Sequence, residues 1–154
     1  MHYLVDGYNV LFSISQSEDL QKKREAFLAN LDEHAASFSS IMTVVFDGHH
    51  RLGEESGYQY FADFLVIFSP GTQTADEYIL ETLFASSCPS SFTVITEDRG
   101  LTRQVKSGGG HVRGVRWFLH WIVKKSRVPK EKPDEDSPFH RERLRRLFEK
   151  EIEE

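Results

Sequence analysis

Four aspartates, Asp6, Asp47, Asp76 and Asp98, lie at or just past the ends of short apolar runs, or at the start of a helix-like run. Carboxylates gathered in one place repel each other and resist ionisation unless a cation neutralises them. Hard oxygen donors of this kind select Mg²⁺ or Mn²⁺. An ion held there can bind a phosphate oxygen, activate water and stabilise a leaving oxygen, so the expected chemistry is metal-assisted phosphodiester cleavage. Each aspartate also has a plain structural explanation. Asp6-Gly7 and Asp47-Gly48 are common turn pairs, Asp76 suits the dipole of a helix start, and Asp98 suits a helix cap. Four at one predicted sheet edge favour a site.

Several neighbours have weaker claims. Asn9 can serve a ligand carboxylate or a phosphate, or simply stabilise the turn after Asp6. Thr74 reads first as a helix cap, with a hydroxyl that could reach the water shell of a metal. Thr96 either orients Asp98 or continues a strand, and Glu97 ranks below the aspartates because strand alternation turns it away. His49-His50 raises a zinc or general-acid reading, but no Cys/His set with firm zinc spacing accompanies it, so surface polarity is the better explanation. Gly108-Gly109-Gly110 lacks the Gly-Lys-Ser/Thr of a nucleotide loop and reads as a turn. Trp117 and Trp121, four apart, read as core packing on one helical face.

The elements that must position these residues alternate. Tyr3-Leu-Val-Asp6, Ile41-Met-Thr-Val-Val-Phe46, Phe64-Leu-Val-Ile-Phe68 and Phe92-Thr-Val-Ile-Thr96 are apolar, β-prone runs of the kind buried on both faces. Residues 18–38 follow a helical period, with Leu20, Phe27, Leu28, Leu31, Ala35 and Phe38 on one broad face. Thr74-Ala-Asp-Glu77 opens a helix with a capping box that runs to about residue 85. A further helix spans 99–106, a short strand 111–115 and an aromatic helix 117–123. Residues 49–60 read as a loop. The reading is one α/β domain over 1–126, a polar linker over 127–137 and a charged tail helix over 138–154. In a mostly parallel sheet flanked by helices, the carboxyl ends of the strands share one edge, and ligands bind there.

Length and charge constrain the partners. The 154 residues suffice for one buried core. A single cysteine, Cys88, excludes an internal disulfide framework and a multi-cysteine zinc site, as suits a reducing cytoplasm. The N-terminal residues do not form a signal peptide, and no run approaches the roughly 20 apolar residues of a membrane span. A cytoplasmic protein is therefore expected, with no membrane partner and no small-molecule cofactor. The net charge of −5 hides strong segregation: residues 1–98 carry −11, residues 99–132 carry +9, and residues 133–154 carry −3. Arg99, Arg103, Lys106, Arg113 and Arg116 lie in the basic stretch and are the residues expected to hold phosphates; a solvated helical face is the plainer reading of such a run.

Leu4-Val-Asp-Gly-Tyr-Asn9, Val44-Val-Phe-Asp-Gly48, Thr74-Ala-Asp-Glu77 and Val94-Ile-Thr-Glu-Asp98 together resemble the YacP-type branch of the NYN family, over roughly residues 2–125. The resemblance implies a PIN-like fold and a metal-dependent ribonuclease that cleaves RNA, with a link to messenger RNA on the ribosome. It implies that Asp6, Asp76 and Asp98 hold the metal, that Asp47 walls the acidic pocket and that Asn9 supports it. Glu97 stands where that family usually has a small hydroxyl residue, and Arg-Gly-Leu-Thr-Arg after Asp98 also departs from its pattern. Two other functions compete: a non-catalytic RNA- or ribosome-binding module of the same fold, and a phosphohydrolase of another α/β family. The second lacks both a strand-end Asp-x-Asp pair and a P-loop.

Overall fold

Strands buried on both faces need apolar residues at consecutive positions, and this chain supplies them. The computed structural model describes residues 1–14, 19–35, 38, 40–48 and 57–127, with side chains as far as 123. Its strands are β1 (His2–Asp6), β2 (Ile41–Phe46), β3 (Gly57–Tyr60), β4 (Leu65–Phe68), β5 (Phe92–Ile95) and β6 (His111–Arg113). They form one sheet in the order β3-β4-β2-β1-β5-β6, parallel throughout except for β3 against β4. The helices are α1 (Gly7–Ile14), α2 (Leu20–Ala35), α3 (Ala75–Ala85), α4 (Arg99–Ser107) and α5 (Val115–Arg127).

Strand alternation sends neighbouring residues into two cores. Val5, Val44 and Ile95 pack with Leu28, Leu31, Phe118 and Ile122, beneath α1, α2 and α5. Leu4, Val45 and Val94 pack with Ile79, Leu83, Leu101 and Val105, beneath α3 and α4. The α/β architecture expected from the sequence is therefore present. Trp121 is partly buried and packs against the first core, with its ring 4.8 Å from both Tyr3 and Phe38, whereas Trp117 is more than one-third exposed.

Two elements differ from the sequence reading. Gly7-Tyr8-Asn9 is not an open turn, because α1 begins directly at Gly7. Glycine is required there by packing: a Cβ would lie 2.4 Å from the Phe46 ring. Residues 57–60, expected within a loop, form the antiparallel edge strand β3, held by its pairing with β4 while Tyr58 and Tyr60 stay exposed. Of the expected linker over 127–137 only Arg127 is described, and it is the last residue of α5; the rest of the linker, the tail helix, and His49 and His50 lie outside the described residues.

The register levels the strand ends. Asp6 is opposite Val45, Val5 is opposite Ile95, and Phe46 is opposite Phe68. Asp47, Ser69 and Thr96 therefore follow at one edge. At that edge Gly48 meets the β4 exit closely: its N–H donates to Ser69 Oγ at 3.1 Å, and a Cβ on it would lie 1.8 Å from the Ser69 carbonyl oxygen. A methyl group there must displace backbone. Gly48→Ala is expected to cost about 2 kcal/mol or more in urea unfolding, whereas Gly71→Ala, with nothing within 4 Å of the added Cβ, should change little. Equal effects of the two would refute this close-packing role.

Candidate metal centre

Asp6 ends the central strand and is buried, at 7% exposure. Its carboxylate accepts from the Thr96 hydroxyl, Oγ1 to Oδ2 3.1 Å, and from the backbone N–H of Asn9, three residues on, as an N-cap does. Asp76 lies in the first turn of α3, which Thr74 caps by accepting from the Glu77 N–H at 3.2 Å, as the capping box predicts. The Thr74 hydroxyl in turn lies 3.2 Å from Glu77 Oε1. Asp98 caps α4, its Oδ1 accepting from the Leu101 N–H at 2.8 Å. All three expected ligands thus sit at helix N-termini, whose partial positive charge favours anions.

That help does not cancel the crowding. Burial, then the charges of Asp76 and Asp98, push the Asp6 carboxyl up to about 7, although the Thr96 and Asn9 hydrogen bonds oppose this. Burial likewise raises Asp76, followed by Asp98, Asp47 and Glu77. Asp6, Asp47 and Asp76 line one open cleft of about 280 Å³ with Asn9, Thr74, Ala75, Tyr8 and Phe12. Asp98 stands beside this cleft and acts on it through its charge. Among the described residues, no three His, Cys, Asp or Glu side chains already converge as a closed metal-binding group. A cleft lined by three carboxylates nevertheless suits a hard cation such as Mg²⁺, which needs only one or two protein carboxylates and fills its shell with water and phosphate.

Three neighbouring residues have roles the sequence left open. Thr96, 2% exposed, ties Asp6 to the start of the next loop by also accepting from the Asp98 N–H at 3.1 Å. Asn9 Oδ1 accepts from the Glu97 N–H at 2.6 Å, so it joins α1 to the β5–α4 loop. Glu97 does turn away from the cleft: its Oε1 accepts from the Val115 N–H at 2.7 Å, at the start of α5. A Cβ on Gly114 would lie 2.8 Å from Glu97 Oε1, so a larger residue there would push this carboxylate aside. No residue spacing in the sequence signals this last contact, because its partners are 18 positions apart.

The five basic residues proposed for RNA are all exposed, but they are not equivalent. Arg99 opens α4 next to Asp98, Arg113 ends β6 opposite Ile95, and Arg116 lies in the first turn of α5. These three flank the carboxylate edge. Arg113 also lies over the Trp117 ring, 5.4 Å from its centroid. Arg103 is one turn further along α4, and Lys106 is in its last turn, so the helix carries both away from the cleft. Among the described residues, no helix is long and apolar enough to cross a membrane.

Comparison with known proteins places this geometry in context. The model of the YacP-like NYN domain family matches residues 3–154. Among solved structures, Rae1 (YacP) from Bacillus subtilis is similar, with 24% identity, a TM-score of 0.66, and 97% of this chain and 93% of that one covered. Its W164L mutant gives 21% identity and a TM-score of 0.68, over 96% and 91% of the two chains. At these identities the likeness speaks for the fold. No curated protein matches the sequence.

The raised Asp6 value gives a stability test. A carboxyl whose folded-state pKa, about 7, exceeds its unfolded value near 4 stabilises the fold fully below the unfolded value, and that contribution is lost as pH rises through 7. In a chelator, Asp6→Asn should therefore melt higher than the native chain at pH 8, by on the order of 5 °C. The difference should vanish at pH 4. A lower melting temperature for the variant at pH 8 would contradict the crowding described above.

Proposed function

This chain belongs to the YacP-like NYN domain family, and on that premise we propose that it is a divalent-metal-dependent endoribonuclease. Family membership supports a nuclease-like domain that acts on RNA. The observation that carries the finer reading is the over-acidic cleft, where burial and neighbouring carboxylates raise both Asp6 and Asp76. Asp6, Asp76 and Asp98 are the proposed metal ligands, and Asp47 walls the cleft. When bound, Mg²⁺ or Mn²⁺ would neutralise the carboxylates, hold a phosphate oxygen and lower the pKa of a water.

The protein's own groups do the positioning. Thr96 and the Asn9 amide orient Asp6, and the cap of α4 orients Asp98. Arg99, Arg113 and Arg116 flank the edge and are proposed to hold the phosphates on either side of the scissile bond. Arg103 and Lys106 would extend that track along α4. The family resemblance adds messenger RNA at the ribosome, in the cytoplasm, as the proposed setting.

Incubating the purified chain with RNA and Mn²⁺, with and without ribosomes, tests the reading. Asp76→Asn should lower cleavage at least about 100-fold, while circular dichroism stays native. Full activity in that variant would sink the assignment. If the native chain binds RNA in a salt-sensitive way but never cuts it, a non-catalytic RNA-binding module is the correct description. Arg113→Ala should weaken RNA binding and lower the slope of log affinity against log salt by roughly one. An unchanged slope would remove Arg113 from the phosphate track.

A further inference from the structure

The cleft has an apolar side that the proposed chemistry leaves unexplained. Tyr8 and Phe12 line it together with the carboxylates. In α1, Val10 and Leu11 are buried at 0% and 3% exposure, yet Phe12 is 53% exposed. Leaving a phenyl ring in water forgoes the stabilisation that burial would give. Phe12 also rests on a rigid support. The Tyr8 ring lies 6.0 Å from it, inclined by 22°, and Tyr8 itself is only 5% exposed.

Tyr8 in turn is held from two sides. Its hydroxyl accepts from Arg24 Nη1 at 2.9 Å, and its ring meets Phe46 edge-on at 4.8 Å. Arg24 is a buried arginine, 7% exposed, with its guanidinium 5.1 Å from the centre of the Phe68 ring. Phe68, Arg24, Tyr8 and Phe12 therefore form a chain of contacts from the core to the rim of the cleft, guanidinium on ring, then hydrogen bond, then ring on ring, and at the rim Phe12 is half exposed. Tyr58 and Tyr60 are also exposed and stacked, but they lie on the edge strand and do not line the cleft.

We infer that Phe12 is a positioning residue whose ring stacks on an unpaired nucleobase next to the phosphate held at the aspartates. The inference rests on the ribonuclease reading and deepens it. A base is flat and uncharged, so the acidic cleft does not repel it as it repels an unneutralised phosphate. Aromatic stacking is tolerant of base identity, because every base has a π-face. The geometry accordingly predicts a demand for an unpaired base beside the cut without a strict sequence requirement. The Tyr8–Arg24 hydrogen bond fixes the height and tilt of the platform.

The test uses the full chain and a single-stranded oligoribonucleotide carrying 2-aminopurine, whose fluorescence falls when it stacks. Native protein should quench the probe on binding. Phe12→Ala should raise KM about tenfold or more with a smaller change in kcat, and should lose the quench. Phe12→Leu, apolar but without a flat π-face, should resemble Phe12→Ala, whereas Phe12→Trp should remain within about threefold of native and retain the quench. If native protein binds and cleaves RNA but Phe12→Leu is as good as native, the stacking role is overturned while the ribonuclease reading stands. If native protein binds and quenches the probe through Phe12 but never cuts, stacking stands and catalysis falls. Failure of native protein to bind the probe at all would overturn both.

Discussion

The Asp6 carboxylate, buried at the end of the central strand beside two other acidic groups, is the constraint around which the rest of this structure is arranged. Burial alone disfavours its charge, and Asp76 and Asp98 disfavour it further. Among the described residues, what offsets this is a set of local dipoles: a threonine hydroxyl, a backbone amide and the starts of three helices. These soften the repulsion without removing it. What remains is a cleft whose electrostatics favour a cation and whose carboxylates, Asp6, Asp47 and Asp76, offer it oxygen donors.

Holding such a cleft open requires its walls to be tied together. Thr96 bonds both Asp6 and the Asp98 amide, and Asn9 reaches across to the Glu97 amide. Glu97 then secures the start of α5. On the other side, Ser69 accepts from Gly48 and donates to the Gln73 carbonyl oxygen, linking the ends of β2 and β4 to the loop before α3. Each tie is made by a polar group at a strand exit, where the ladder ends and backbone groups need other partners. The hydrogen bonds that complete the fold are therefore also the ones that aim the carboxylates.

Charge and aromatic surface divide the rim in a way that suits a nucleic acid. Arg99, Arg113 and Arg116 border the acidic edge on the β5–β6 side, while Phe12 and Tyr8 form the apolar wall on the α1 side. A polyanion with flat bases has a physical complement for each of its parts here. The net negative charge of the whole chain conceals this, because the acidic residues lie mainly before residue 99 and the basic ones just after it.

The alternation of apolar strands and helices, the Thr74 cap and the arrival of four aspartates at one sheet edge were all legible in the sequence, because they depend on local periodicity and on the handedness of parallel crossovers. Two local signals misled: Gly7 looked like a turn because glycine permits one, and residues 57–60 looked like a loop because β3 is held by its neighbour more than by its own composition. The family resemblance set Asp47 apart from Asp6, Asp76 and Asp98, but the sequence had no means of distinguishing the aspartates by burial. Only the tertiary structure decided that Asp6 is the buried one, that Asp98 stands beside the cleft and that Thr96 links them. It alone revealed the Arg24–Tyr8 hydrogen bond and the Tyr8–Phe12 ring pair. The physical reason is the same in each case: hydrogen bonds and ring contacts depend on distances of a few ångströms between residues as many as 90 positions apart, and no sequence spacing encodes them.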